Sequence, residues 1–242
     1  MGKAEKEKAR ASVPEAEQPY KIPDNWQWVR LGAVCSHISD GSHNPPIDAG
    51  KGIPLLSAMN IHDRIIDIDG ATRWITEDEW QLENQRTRIE VGDVLITIVG
   101  SIGRVAVVET NERFALQRSV AALKPTINPG YLSYYLESPF VQLFLMENAK
   151  GTAQKGFYLK HLEKLACCVA PVPEQQRIVD RIESMFSKLN KAKENVMSVS
   201  GYNDTRNTMI GIIDTMKKSI LGRAFRGELG TNRPNEERVS LD

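Results

Sequence analysis

The sequence predicts an α+β fold, in which one mixed α/β domain is followed by long helices with the spacing of a coiled coil. Three observations carry this. Short β-rich runs alternate with glycine and polar turns between Ile22 and Pro171. Asn128-Pro129 is a helix start, with asparagine as cap and proline in the first turn. After Pro171 the apolar residues recur in alternating steps of four and three.

In chain order, residues 1–19 are Lys, Glu, Ala and Gln with little to bury, and are expected to be a disordered tail. Residues 20–172 form the domain, a segment of common domain size. Its strands are expected at Val94–Val99, Val105–Val108 and Ser119–Leu123. A helix follows Asn128 and presents Tyr131, Leu132, Tyr135 and Leu136 on one face; a second begins near Pro139 and stops at Gly151. Residues 173–228 form the helical region, and 229–242 a C-terminal tail. The seam runs through Ile178, Ile182, Met185, Leu189, Ala192, Val196 and Val199, is interrupted at Gly201, and resumes at Met209, Ile213, Met216 and Ile220. From Glu174 to Val199 a helix would be about 39 Å long at 1.5 Å per residue. Such a stripe needs a cover. A helix from a second copy or another subunit is preferred over a fold-back onto the chain's own domain.

Composition narrows the function. The 31 basic and 31 acidic residues cancel, so any nucleic-acid surface must come from local segregation of charge. Cys35 and the adjacent pair Cys167 and Cys168 have neither disulfide-framework nor metal-ligand spacing, and read as reduced thiols of a soluble, cytoplasmic protein. No apolar run approaches a membrane span. The Gly-Lys pairs at Gly2 and Gly50 are not followed by a hydroxyl residue, so no phosphate-binding loop is formed. No acidic residue stands two positions before a lysine, as many metal-dependent nucleases require. His37, His43, His62 and His161 lack the helical spacing of a zinc site. No cofactor, metal or catalytic residue is expected. Asn44-Pro45-Pro46-Ile47 is similar to the base-holding motif of amino-methyltransferases, but Ile47 cannot stack on an extruded base and no glycine-rich cofactor loop accompanies it.

Several stretches, in order, resemble the specificity subunits of type I restriction–modification enzymes. They are Trp28–Leu31, Ser39–Pro46, Gly52–Ser57 with Asn60-Ile61, Gly92–Thr97, Gly100–Gly103 and Leu116–Ala121. Gly151–Gly156, Pro173-Glu-Gln-Gln-Arg-Ile-Val179 and Ala224-Phe-Arg-Gly-Glu-Leu229 complete the set. The resemblance implies a target-recognition domain that reads a half-site in double-stranded DNA, and a helical spacer that docks methyltransferase and possibly restriction subunits. Full-length members have two of each, whereas this chain has one. It is then either a half-subunit that pairs with a second copy through the helices or half of a longer protein. In a symmetric pair the two domains would stand about one turn of DNA apart, roughly 34–36 Å.

The residues expected to touch DNA lie in four places. Thr152, Gln154 and Lys155 occupy a loop between glycines, where Gln154 can pair with adenine and Lys155 with guanine or phosphate. The plain alternative is a helix cap and a solvated loop. Ser42, His43 and Asn44 lie on a polar loop that could equally be a linking turn. Ser101 and Arg104 flank a hairpin, with Arg104 as a phosphate contact. Arg118 either points at DNA or pairs with a carboxylate. The tryptophans read as packing. Lys188, Lys191, Lys193, Lys217, Lys218, Arg223 and Arg226 read as a solvated helix face, or, by the resemblance, as a surface that docks methylase subunits. The rival functions are a small DNA methyltransferase or nuclease and a purely structural coiled-coil adaptor.

Overall fold

The computed structural model describes residues 12–150, 156–198 and 203–239. In chain order, β1 (Gln27–Arg30) and β2 (Cys35–Asp40) lead into β3 (Ile53–Leu56), the hairpin β4 (Ile61–His62) and β5 (Ile65–Ile66), β6 (Trp74–Ile75) and helix α1 (Glu77–Thr87). Then come β7 (Val94–Thr97), β8 (Val105–Val107), β9 (Ala115–Leu116), β10 (Val120–Pro125) and helices α2 (Pro129–Leu136), α3 (Pro139–Asn148) and α4 (Leu159–Glu163). Strand β11 (Ala166–Val169) precedes two long helices, α5 (Val172–Ser198) and α6 (Asn203–Ala224).

The centre is a four-stranded sheet in the order β2-β10-β7-β8, with every neighbouring pair antiparallel. Its β7, apolar from Val94 to Ile96 and ending in Thr97, is buried along its length, as expected of a strand covered on both faces. One face packs on α2 and the helical region, and the other on a smaller cluster around Leu56, Ile61, Phe114 and Leu116. Helix α2 starts as its sequence dictates: the Asn128 side chain accepts the Tyr131 amide at 2.9 Å, and Pro129 occupies the first turn. Its fully buried tyrosines reach β11, Tyr131 donating to the Cys168 carbonyl at 2.9 Å and Tyr135 to that of Ala166 at 2.5 Å. Burial pushes both phenols well above their ordinary range, so they remain donors. Helix α3 begins at Pro139 as expected but ends at Asn148, short of Gly151, which lies outside the described residues. Cys35, Cys167 and Cys168 are unbridged.

The inner part of the apolar seam, expected to be covered by a second copy or another subunit, is covered by the chain's own domain. Ile178 and Ile182 are fully buried and belong to the same core as β7, β10 and α2. Helices α5 and α6 pack on each other, are linked by Lys193 and Asp214 at 3.3 Å, and bury Ile213 and Ile220. Met185 and Leu189 are partly buried against that core, Val196 is half-buried, and Met216 is exposed. A fold-back is available because α6 returns the chain to the domain, where Leu221, Ala224 and Phe225 enter the core.

The described residues at both ends of the chain pack on the domain. Val13 is buried and its amide donates to the Trp28 carbonyl, so residues 12–19 belong to the fold. Residues 229–239 form a strap: Asn25 donates to the Arg233 carbonyl at 2.9 Å and Gln27 to that of Val239 at 2.7 Å. Glu174 is its latch. This fully buried carboxylate accepts the Trp26 indole N–H at 2.8 Å, the Thr231 hydroxyl at 3.0 Å and the Asn232 amide at 2.9 Å. Its neighbour Gln175, also buried, accepts the Asn128 amide and donates to the Ala170 carbonyl, both at 2.9 Å. Arg177 bonds Glu236 at 2.6 Å and thereby holds that carboxyl below its usual range. Replacing Glu174 by alanine strands these donors, and is expected to cost about 1–3 kcal/mol in a urea titration. An unchanged midpoint would show that the latch contributes nothing.

Candidate nucleic-acid interface

The register of the central sheet decides which loops meet. Asp40 pairs with Ala121, Val120 with Thr97, and Ile96 with Val105. The end of β2, the start of β10, the end of β7 and the start of β8 therefore lie at one end of the sheet. The loops leaving there are 41–50, 98–104 and 117–119. Gly156 joins them by bridging to Val99 and Lys150, and Phe157 donates to the Ile98 carbonyl at 2.7 Å. The turn after β3 joins as well, its Ala58 amide donating to Ser119 Oγ at 3.0 Å.

Close approach of backbone builds this end. A Cβ on Gly41 would lie 2.0 Å from the Leu116 carbonyl oxygen, so only glycine lets β2 cross the end of β9. Beyond it the Ser42 amide donates to the Leu116 carbonyl at 2.7 Å, and the Arg118 amide to that of Ser42 at 3.0 Å. Gly103 has φ +91° and lies against Gln142, which donates to its carbonyl at 2.9 Å. Farther along the 41–50 loop, the Trp74 and Gly50 amides donate to Asp48 and hold its carboxyl below the usual range.

The expected contact residues divide by burial. Ser42 is 4% exposed and serves the loop through its backbone, so its side chain is not offered to a ligand. His43 and Asn44 are exposed, and His43 Nε2 bonds Asp40 Oδ2 at 2.7 Å, which fixes the ring. Ser101 and Arg104 are exposed. Arg104 donates to the carbonyls of Ala58 at 3.4 Å and Ile61 at 3.3 Å, so it also clamps the turn after β3. Arg118 is exposed, and its guanidinium has no carboxylate partner among the described residues. Thr152, Gln154 and Lys155 lie outside the described residues. Trp26 and Trp28 are buried, in keeping with a packing role.

The structure adds residues that no local pattern marked. Arg86 of α1 bonds Asp40 through Oδ1, the carboxylate oxygen that His43 leaves free. With Tyr158, Lys160 and His161 these residues line an open cleft of about 450 Å³. Thr76, whose hydroxyl and amide exchange bonds with Glu79, sets the start of α1, and this capping box is readable in the sequence. The meeting of Arg86 with Asp40 is not.

Comparison with known proteins decides the family. The model described as type I restriction modification DNA specificity domain matches residues 23–198. The chain belongs to this family. It is 29% identical over 214 residues to the EcoBI specificity subunit of Escherichia coli, covering 86% of this chain and 43% of that one. It is 26% identical over 210 residues to the EcoKI specificity subunit of Escherichia coli strain K12, covering 83% and 42%. The chain thus spans less than half the length of these relatives. Among solved structures, the HsdS subunit from Thermoanaerobacter tengcongensis superposes with a TM-score of 0.54 at 24% identity, covering 89% of this chain and 48% of that one. A chain from a structure of type I R-M complex assembly and conformational transition gives 0.53 at 24% identity, covering 89% and 49%. Both show the shared fold. In this type I specificity domain, the Pro173–Val179 and Ala224–Leu229 stretches are structural: they hold the strap and return α6 to the core.

Proposed function

We propose that this chain is the DNA-reading, non-catalytic component of a type I restriction–modification assembly. The observation that carries this is the convergence of loops 41–50, 98–104 and 117–119 at one sheet end, with Asn44, Ser101 and the arginines exposed there. Rigid strands position the loops, which suits side chains that must meet base edges at fixed spacing. Arg118, with no carboxylate to neutralise it among the described residues, is the residue most suited to a bidentate base contact, and Arg104 to a phosphate. Thr152, Gln154 and Lys155 belong to the same proposed set.

On this reading the domain reads one half-site of double-stranded DNA, and the helical region docks methyltransferase and, where present, restriction subunits. A second copy supplies the other half-site. The surface supporting that pairing is not the inner seam but the side chains left uncovered on the long helices: Met197 is 57% exposed, Met209 45%, Ile212 54% and Met216 47%. Those on α6 recur at helical spacing. Among the described residues no helix is long and apolar enough to cross a membrane, and the unbridged thiols support a cytoplasmic setting.

The test is a map of modified bases across the genome of cells expressing the chain with its methylase, against cells lacking the chain. The expected result is a split motif that vanishes with the chain and is palindromic, as two-fold symmetry requires. An asymmetric motif would place the second reading domain on a different sequence. No chain-dependent motif, with an active methylase, would refute the reading role.

A further inference from the structure

Beside the sheet end lies a second feature that the reading loops do not explain. An open cleft of about 730 Å³ separates the β4–β5 hairpin and the Gly103–Arg104 turn from the two long helices. Arg64, Arg104, Lys193, Lys217 and Lys218 line it, against Asp63, Glu137 and Asp214. In a chain whose charges cancel, this is a local basic excess.

The acidic groups are mostly taken. Arg64 bonds Glu137 at 2.5 Å and Ser133 Oγ at 2.7 Å, and its guanidinium lies 3.8 Å from the centre of the Tyr134 ring. Lys193 holds Asp214 at 3.3 Å. Asp63 is at the rim, its side chain 93% exposed. Two cations are left over, and a third, Lys217, shares the Glu137 carboxylate with Arg64 without a direct ion pair. Arg104 touches only neutral carbonyls, Lys217 lies 5.4 Å from the Phe186 ring, and Lys218 is exposed; none has an ion-pair partner among the described residues.

The wall of the cleft is fixed. Asp63 and Arg64 form the tip of the hairpin with φ of +50° and +64°, a left-handed conformation that costs a non-glycine residue free energy. It is held because the Arg64 side chain is anchored on α2 and the residue that caps it. The hairpin side of the cleft is thereby held against α2.

We propose that this cleft is a sequence-independent track for a DNA phosphate backbone, running from Arg104 at the reading end to Lys217 and Lys218 on α6. The proposal rests on the DNA-reading function above. A duplex is favoured over an acidic protein segment because Arg104 belongs to both features, so a strand held at the reading loops is delivered to the cleft. The helical region then grips the duplex while the domain reads it, and fixes the angle between them.

The test uses the full chain with Lys217→Gln and Lys218→Gln combined, and Lys218→Gln alone, each checked for an unchanged thermal midpoint. Anisotropy of labelled duplexes is followed across a salt series, with one duplex carrying the mapped motif and one scrambled. Each phosphate contact contributes roughly 0.9 to the slope of log affinity against log salt. The double variant is expected to lower that slope by about 2 and to weaken both duplexes about equally, on the order of tenfold. An unchanged slope overturns the track. So does a variant that loses binding to polyglutamate while duplex binding is unaltered, which would assign the cleft to an acidic polypeptide. Failure of the reading function shows differently, as equal binding of motif and scrambled duplexes by the unaltered chain.

Discussion

Replacing Phe225 by alanine is expected to lower the stability of the whole chain by about 3–5 kcal/mol. Phe225 is fully buried where α6 ends, edge-on to Tyr131 at 5.3 Å and Tyr135 at 5.0 Å. Those tyrosines in turn hold β11. Truncation removes aromatic contact from the junction of domain and helices and leaves a cavity that the surrounding rings cannot collapse to fill. In a chain of this size the loss corresponds to a drop of about 10 °C in Tm. Scanning calorimetry checks it, and its shape is as informative as its midpoint. One shared core predicts a single transition that moves as a whole. Two transitions, with that of the domain unmoved, would show that the helical region is an independent unit and that the shared core is misassigned.

Replacing Arg118 by alanine is expected to remove about 1–3 kcal/mol of discrimination between the true motif and a single mismatch, roughly 5- to 150-fold. The thermal midpoint should not move, because the side chain is exposed and makes no ion pair among the described residues. Arg118→Lys keeps the charge and loses the planar fork. It should retain affinity for scrambled duplex while losing selectivity at one base position. Competition binding against duplexes altered one position at a time distinguishes the outcomes. A uniform loss over all sequences would make Arg118 a phosphate contact. No loss would remove it from the interface.

Local chemistry was legible wherever the physical cause is local. The apolar runs at Val94–Val99, Val105–Val108 and Ser119–Leu123 correspond to β7, β8 and β10, because β-branched residues between glycine turns leave few other options. Asn128-Pro129 starts α2 for a reason contained in two residues. The capping box at Thr76 and Glu79 was equally local, and marks α1, which the apolar pattern did not. The polar loops around His43, Ser101 and Arg118 could be named as candidates from composition, but their meeting could not. It depends on which strand pairs with which, and pairing across a sheet leaves no trace in periodicity.

The seam shows the same division. Heptad spacing determined that Ile178, Ile182, Ile213 and Ile220 would be covered; it could not say by what, since an apolar stripe is satisfied equally by another copy or by the chain's own returning helix. The tertiary structure chose the latter, because α6 brings Phe225 back to Tyr131 and Tyr135. The Pro173–Val179 stretch likewise looked like the start of a spacer. Only the fold shows Glu174 buried and accepting donors from Trp26, Thr231 and Asn232, at sequence separations that no local rule spans. The sequence by itself determined where β7, β8, β10 and α2 lie and that the inner faces of the long helices must be buried, since backbone propensity and side-chain period act over a few residues. The tertiary structure alone decided what covers those faces and which loops share an end of the sheet, since both depend on contacts between residues far apart in the chain.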